Sequence, residues 1–219
     1  MTTRYICVMQ MRTALLLSSV MSLVPVWGAA HPHVFVDTEL TVYVDATGQM
    51  EGIEVAWTYD DFYSLLILAD LKLDNDGDGR LDPSELQRLD GFDLQWVEGY
   101  QGDSYVTRNG KPASLGAPET RGVSVDRGLI TSRHFRALSG PADGVEIKAF
   151  DPTFYTAYSL TGTVTVKGPC TATQTPADLD AAYTLVEELL YATPAADLEE
   201  GYPEVGEAFA DTVSLSCTS

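Results

Sequence analysis

Val34-Phe35-Val36-Asp37-Thr38-Glu39-Leu40-Thr41-Val42-Tyr43-Val44 alternates between two kinds of side chain. Val34, Val36, Leu40, Val42 and Val44 share one parity and are apolar; His33, Asp37, Glu39, Thr41 and Asp45 share the other. A period of two with one apolar face marks a half-buried strand. Asp45-Ala46-Thr47-Gly48 reads as a turn, and Ile53, Val55 and Trp57 alternate in a returning strand, so the fold opens with a hairpin.

The spacing then changes. Phe62, Leu65, Leu66, Ala69 and Leu73 recur at helical intervals and predict a helix over 60–73 with that stripe facing inward. Beyond it the chain is rich in short strand candidates: 123–125, 129–138, 145–149, 154–160 and 164–167, with Asn109-Gly110 as a hairpin turn signal. A last helix is expected from near Thr175, with Leu179, Ala182, Tyr183, Val186 and Leu190 as its apolar stripe, then an acidic surface loop over 193–204 and a short strand through Val213, Leu215 and Cys217. These elements predict an α+β fold: one mainly antiparallel β domain over 31–219, an EF-hand-like helix–loop–helix inserted at 58–90, and a C-terminal helix.

The inserted loop is Asp74-Asn75-Asp76-Gly77-Asp78-Gly79-Arg80-Leu81-Asp82-Pro83-Ser84-Glu85. Calcium takes six to eight oxygens, and the twelve-residue EF-hand pattern supplies them from set positions. Asp74, Asp76 and Asp78 offer carboxylates at positions 1, 3 and 5; Arg80 offers its carbonyl at 7; Asp82 reaches through water at 9; Glu85 closes the shell at 12. Gly79 stands at position 6, where the chain must turn sharply. The loop occurs once, so the expected role of Ca2+ is structural.

The 219 residues carry a formal net charge of −19. Residues 1–30 read as a signal peptide: Arg4 and Arg12, an apolar stretch from Thr13 to Trp27, then Gly28-Ala29-Ala30. Its removal leaves 11 basic against 32 acidic residues, a net charge of −21. Such a surface repels nucleic acid and anionic lipid and favours metal ions. No second apolar stretch is long enough to span a bilayer, so the mature chain is expected to be periplasmic and not inserted in the membrane. Cys170 and Cys217 remain after cleavage and are expected to form a disulfide.

His31-Pro32-His33 follows the expected cleavage point. On a strand both imidazoles face one side, with Asp37 further along it, and a set of this kind suits Zn2+, or Ni2+, Co2+ or Cu2+. His134 shares parity with Ile130 and Leu138 but also with Ser132 and Arg136, which leaves its face open. Gly-x-Ser-x-Gly, His-Glu-x-x-His, Cys-x-x-Cys and phosphate-binding glycine loops do not occur, so no enzyme activity is expected.

Several motifs together carry a resemblance: His-Pro-His-Val-Phe at 31–35, Tyr-Asp-Asp-Phe-Tyr-Ser at 59–64, the acidic loop, Asn-Gly-Lys at 109–111, Phe-Asp-Pro-Thr-Phe-Tyr at 150–155 and a cysteine near the end. In this order they resemble a family of periplasmic components of ABC-type transport systems, found beside nickel/cobalt/zinc-type permeases and linked to zinc uptake. The resemblance implies a metal-binding accessory protein working with an inner-membrane metal permease. It places His31 and His33 in the family's amino-terminal motif, and Asp60 and Asp151 at motif carboxylates. Two other readings stand beside it: a calcium-stabilised interaction domain with no transition metal, and a copper-brace oxidase using a leading His31 with His134.

Overall fold

A computed structural model describes residues 32–162, 164–193 and 203–217. The expected signal peptide, His31 and most of the expected 193–204 loop lie outside the described residues.

Strand β1 (Val34–Val44) pairs antiparallel with β2 (Met50–Tyr59), as the alternation predicts. Helices α1 (Asp61–Asp70) and α2 (Pro83–Leu89) follow. The chain then forms β3 (Ser104–Arg108), β4 (Lys111–Ala113), β5 (Pro118–Asp126), β6 (Leu129–Ala137), β7 (Val145–Ala149), β8 (Thr156–Leu160), β9 (Thr165–Lys167) and β10 (Cys170–Thr175). Helix α3 (Leu179–Ala192) and β11 (Thr212–Cys217) end the described chain. One sheet runs β5-β6-β2-β1-β8, with β9 also on β1; the other runs β10-β11-β7-β3-β4. The architecture is α+β and mostly antiparallel, with β8 and β9 lying parallel to β1. No helix among the described residues is long and apolar enough to cross a membrane.

One apolar cluster takes side chains from both sheets: Val36, Val42, Ile53 and Ile130 from the first, Val145, Ile147, Val213 and Leu215 from the second. Each such side chain fully removed from water contributes about 1.5–3 kcal/mol. Thr38 shares the inward parity of β1 and is 1% exposed.

Three expectations need correction. The predicted α1 stripe is largely its outer face: Phe62, Leu65 and Leu66 are 71%, 65% and 46% exposed, whereas Ser64 and Leu68 are buried. The segment is apolar on both sides, so periodicity could not choose. The choice is made by Ser64, whose Oγ donates to the Tyr59 carbonyl and accepts from the Ile130 amide. The C-terminal helix starts at Leu179, with Asp178 as its cap, because Thr175 is the last residue of β10. Strand β8 starts at Thr156, not Phe154, because Phe154 has a φ of 59° in a turn that breaks the extended run.

Asn109 and Gly110 have φ values of 50° and 72°, the two left-handed positions of the hairpin turn expected between β3 and β4. Cys170 and Cys217 face each other across β10 and β11 and form the disulfide.

Candidate metal centre

Helix α1 runs into the acidic loop and α2 leaves it. The carboxylate oxygens of Asp74, Asp76 and Asp78 lie within 4.8 Å of one another, the one such group of three among the described residues. Gly79 has a φ of 75°. Its amide donates to both Asp74 oxygens at 3.2 and 3.1 Å, and the Arg80 amide donates to Asp78 at 2.9 Å. Glu85 spans the loop, accepting from the Asp74 amide at 3.2 Å and the Asp82 amide at 3.1 Å. Asp82 caps α2, accepting from the Ser84 and Glu85 amides. The Ser84 hydroxyl, followed by those amides, holds the Asp82 carboxyl below the usual carboxylate range. The donor set contains oxygen only, which fits Ca2+.

The loop leans on the β5–β6 turn. The Gly128 amide donates to the Gly79 carbonyl at 3.1 Å, and a Cβ at position 79 would meet the Gly128 nitrogen at 3.1 Å and the Arg127 carbonyl carbon at 3.3 Å. Glycine at 79 therefore serves both the turn and this contact.

His33 is exposed at the start of β1; its amide donates to the Tyr155 carbonyl at 2.8 Å and its ring stacks at a tilt against Tyr155, 4.8 Å between centroids. Asp37 is exposed on the same face, but four residues along a strand separate the two Cα atoms by about 13 Å. That is too far for both to hold one ion, so the predicted set of His33 with Asp37 is not brought together. His31, its third member, lies outside the described residues.

Asp60 and Asp151 are caps. Asp60 accepts from the Phe35 amide at 2.7 Å and the Tyr63 amide at 2.8 Å, tying β1 to α1. Asp151 accepts from the Thr153 amide and hydroxyl, both at 2.9 Å, and from the Thr156 amide at 3.0 Å. Both carboxyls are committed to the backbone, which explains the motifs without a metal. The three motifs nonetheless meet at one corner: Phe35 accepts from the Asp60 amide, and His33 donates to Tyr155.

His134 points inward and is 0% exposed. Neither ring nitrogen has a partner, and the ring lies edge-on between Trp57 and Trp96, at 4.7 and 5.7 Å. Burial, with the Arg136 charge adding, pulls its pKa down to about 4, so the ring is neutral. Arg136 stacks on Trp96 and donates to the Gly116 and Gln101 carbonyls. Above this layer runs a strap over 90–103, absent from the sequence reading. Its Asp93 accepts from Tyr59 and Ser132 at 2.7 and 2.5 Å, and its Asp103 accepts from Tyr100 and Tyr158, both at 2.8 Å. Burial pushes Asp103 up to about 6, against the two hydroxyls, which pull it down. Apart from Tyr100, which lies in the strap itself, the partners come from β2, β6 and β8, so no local spacing in the sequence could have announced them.

A model of the family described as "Protein of unknown function (DUF1007)" matches residues 15–217. No curated protein matches the chain. Among solved structures, the Biomphalaria glabrata acetylcholine-binding protein type 1 is similar at 12% identity and a TM-score of 0.35, over 87% of this chain and 89% of that one.

Proposed function

This chain belongs to the DUF1007 family, and from that premise we propose that it is a periplasmic metal-binding accessory protein of a transition-metal transport system, with Ca2+ as a structural ion in the 74–85 loop. The observation that carries the metal reading is the gathering of the Asp74, Asp76 and Asp78 oxygens within 4.8 Å. Three carboxylates at that separation repel one another, and a divalent cation removes the cost. Ca2+ would take these three, the Arg80 carbonyl, Glu85, and Asp82 through water. A single loop outside the cytosol needs only weak affinity to stay filled, which suits a structural ion rather than a signal.

The transition-metal role rests on His33 with His31. His33 is exposed at the corner where three motifs meet, its backbone fixed by Tyr155 and its ring against the Tyr155 ring. Imidazole donors prefer Zn2+, Ni2+, Co2+ or Cu2+ to Ca2+. The partner in this reading is an inner-membrane metal permease, and no step of catalysis is assigned.

The reading as a calcium-stabilised interaction domain is favoured by one observation: among the described residues only the oxygen-donor loop gathers three metal-ligating groups. The copper-brace reading is disfavoured by His134, which is fully buried with its ring against Trp96, away from solvent. Metal analysis of the purified mature chain separates the three. Calcium with zinc, nickel or cobalt supports the accessory-protein reading. Calcium alone leaves the interaction domain, and copper with oxygen reactivity would point to the oxidase.

A further inference from the structure

At the tip of the second sheet a cleft of about 380 Å³ is lined by Arg108, Lys111, Pro112, Ala113, Ser114, Leu138 and Ser139. In a chain with 32 acidic and 13 basic residues, a lining that holds two cations and no carboxylate stands apart. Arg108 and Lys111 are directly opposite each other, the pair that closes the Asn109-Gly110 turn. Like charges facing across a strand pair are destabilising. Neither cation is in an ion pair with a carboxylate: among the described residues the pairs are Arg121–Glu119, Arg127–Asp126 and Lys148–Glu207.

Arg108 is also held in place. Its Nε donates to the Pro141 carbonyl at 2.8 Å and its Nη2 to the Ser139 carbonyl at 2.7 Å. The guanidinium lies across Gly140, where a Cβ would come within 2.7 Å of Nη1. Gly140 has a φ of 97°, so both its conformation and its lack of a side chain make room for this placement. A fixed guanidinium keeps Nη1 available as a donor in a cleft also lined by the exposed Lys111 and by Ser114 and Ser139. The cleft has the volume of a small-molecule site, and fork-shaped donors suit oxyanions.

We propose that this cleft binds a small oxyanion, a carboxylate or a tetrahedral anion, bridged between Arg108 and Lys111. The anion relieves the repulsion within the cross-strand pair, and at physiological salt the acidic surface beyond about 8 Å is screened from it. Its lining contains no residue of the acidic loop and not His33, and it stands or falls independently of the transport reading.

The test is amide-resolved NMR on the calcium-loaded mature chain, titrated with succinate, with sulfate, and with chloride at matched ionic strength. Succinate or sulfate is expected to shift the Asn109, Gly110 and Gly140 amides saturably, and chloride is not. Tighter succinate binding assigns the site to carboxylates, tighter sulfate binding to tetrahedral anions. Lys111 is exposed and, although its backbone pairs with Arg108, its side chain makes no hydrogen bond among the described residues, so Lys111→Glu should weaken binding about tenfold or more, a change of about 1.4 kcal/mol, while Lys111→Arg retains it. Absence of saturable shifts at millimolar probe, or equal affinity in Lys111→Glu, overturns the proposal.

Discussion

Gly79 and Gly128 meet backbone to backbone, the Gly128 amide donating to the Gly79 carbonyl at 3.1 Å. The acidic loop is thus fastened to the β5–β6 turn, where a paired EF-hand would lean on a second loop. An ion that ordered the loop would therefore also order the turn of a strand pair that reaches the core through Ile130.

Chelation should lower the melting temperature of the mature chain, and added Ca2+ should restore it. At a calcium concentration 100 times Kd the stabilisation is about 2.7 kcal/mol. Glu85→Gln should weaken the response, because Glu85 closes the loop across the Asp74 and Asp82 amides. Gly79→Ala should lower stability even in calcium, because the new Cβ strains both the positive φ and the Gly128 contact. Differential scanning calorimetry with and without chelator reads both effects; identical curves would remove the ion from the account of the fold.

The buried layer predicts two opposed pH dependences. His134 titrates near 4 in the fold against 6.5 unfolded, so its contribution is present above 6.5 and is lost as pH falls through 4. Asp103 titrates near 6 against 3.8, so its contribution is present below 3.8 and is lost as pH rises through 6. Between about pH 4 and 6 the slopes oppose. Asp103→Asn should leave a chain that loses stability toward acid relative to wild type. His134→Gln should leave one that gains it, each by on the order of 2 kcal/mol across the window. Urea titrations at several pH values check the sign, and parallel profiles for all three proteins would contradict it.

The sequence was legible where one short segment contains the whole pattern. The alternation of β1, the Asn109-Gly110 turn, the twelve positions of the acidic loop and the two cysteines each carry their own geometry. It was not legible where a partner distant in the chain decides. The face of α1 is chosen by Ile130 through Ser64, and the face of His134 by a strap 31 to 44 residues earlier in the chain, at 90–103. The motif carboxylates Asp60 and Asp151 show the same limit: as residue types they suggest ligands, and only their backbone donors identify them as caps.

Removing those caps should therefore cost stability and not metal. Asp60→Ala deletes the acceptor for both the Phe35 and Tyr63 amides. A lost helix cap costs about 0.5–2 kcal/mol, and the strand tie adds to it. Zinc and calcium affinities, measured by calorimetry below the melting transition, should stay at wild-type values. A selective loss of zinc affinity would return Asp60 to the list of ligands.

His31 and His33 should bind one divalent transition metal without competing with the acidic loop for calcium. His33 immediately precedes β1, is exposed, and shares the outward parity of that strand. Neutral imidazole is a borderline-soft donor, whereas the loop offers oxygen alone, so zinc and calcium should partition between the two sites. Affinity should fall as the solution is acidified, because a metal-ligating imidazole must be neutral and proton uptake displaces the metal. Asp37→Asn should leave zinc binding unchanged, because about 13 Å of strand separates its Cα from that of His33. The double change His31→Ala with His33→Ala should abolish zinc binding and leave the calcium-dependent melting shift intact. Zinc calorimetry on the three proteins, wild type, Asp37→Asn and the double variant, decides it. Zinc affinity that survives the loss of both histidines would leave the exposed corner as a solvated terminus, and the transport reading would lose its metal site.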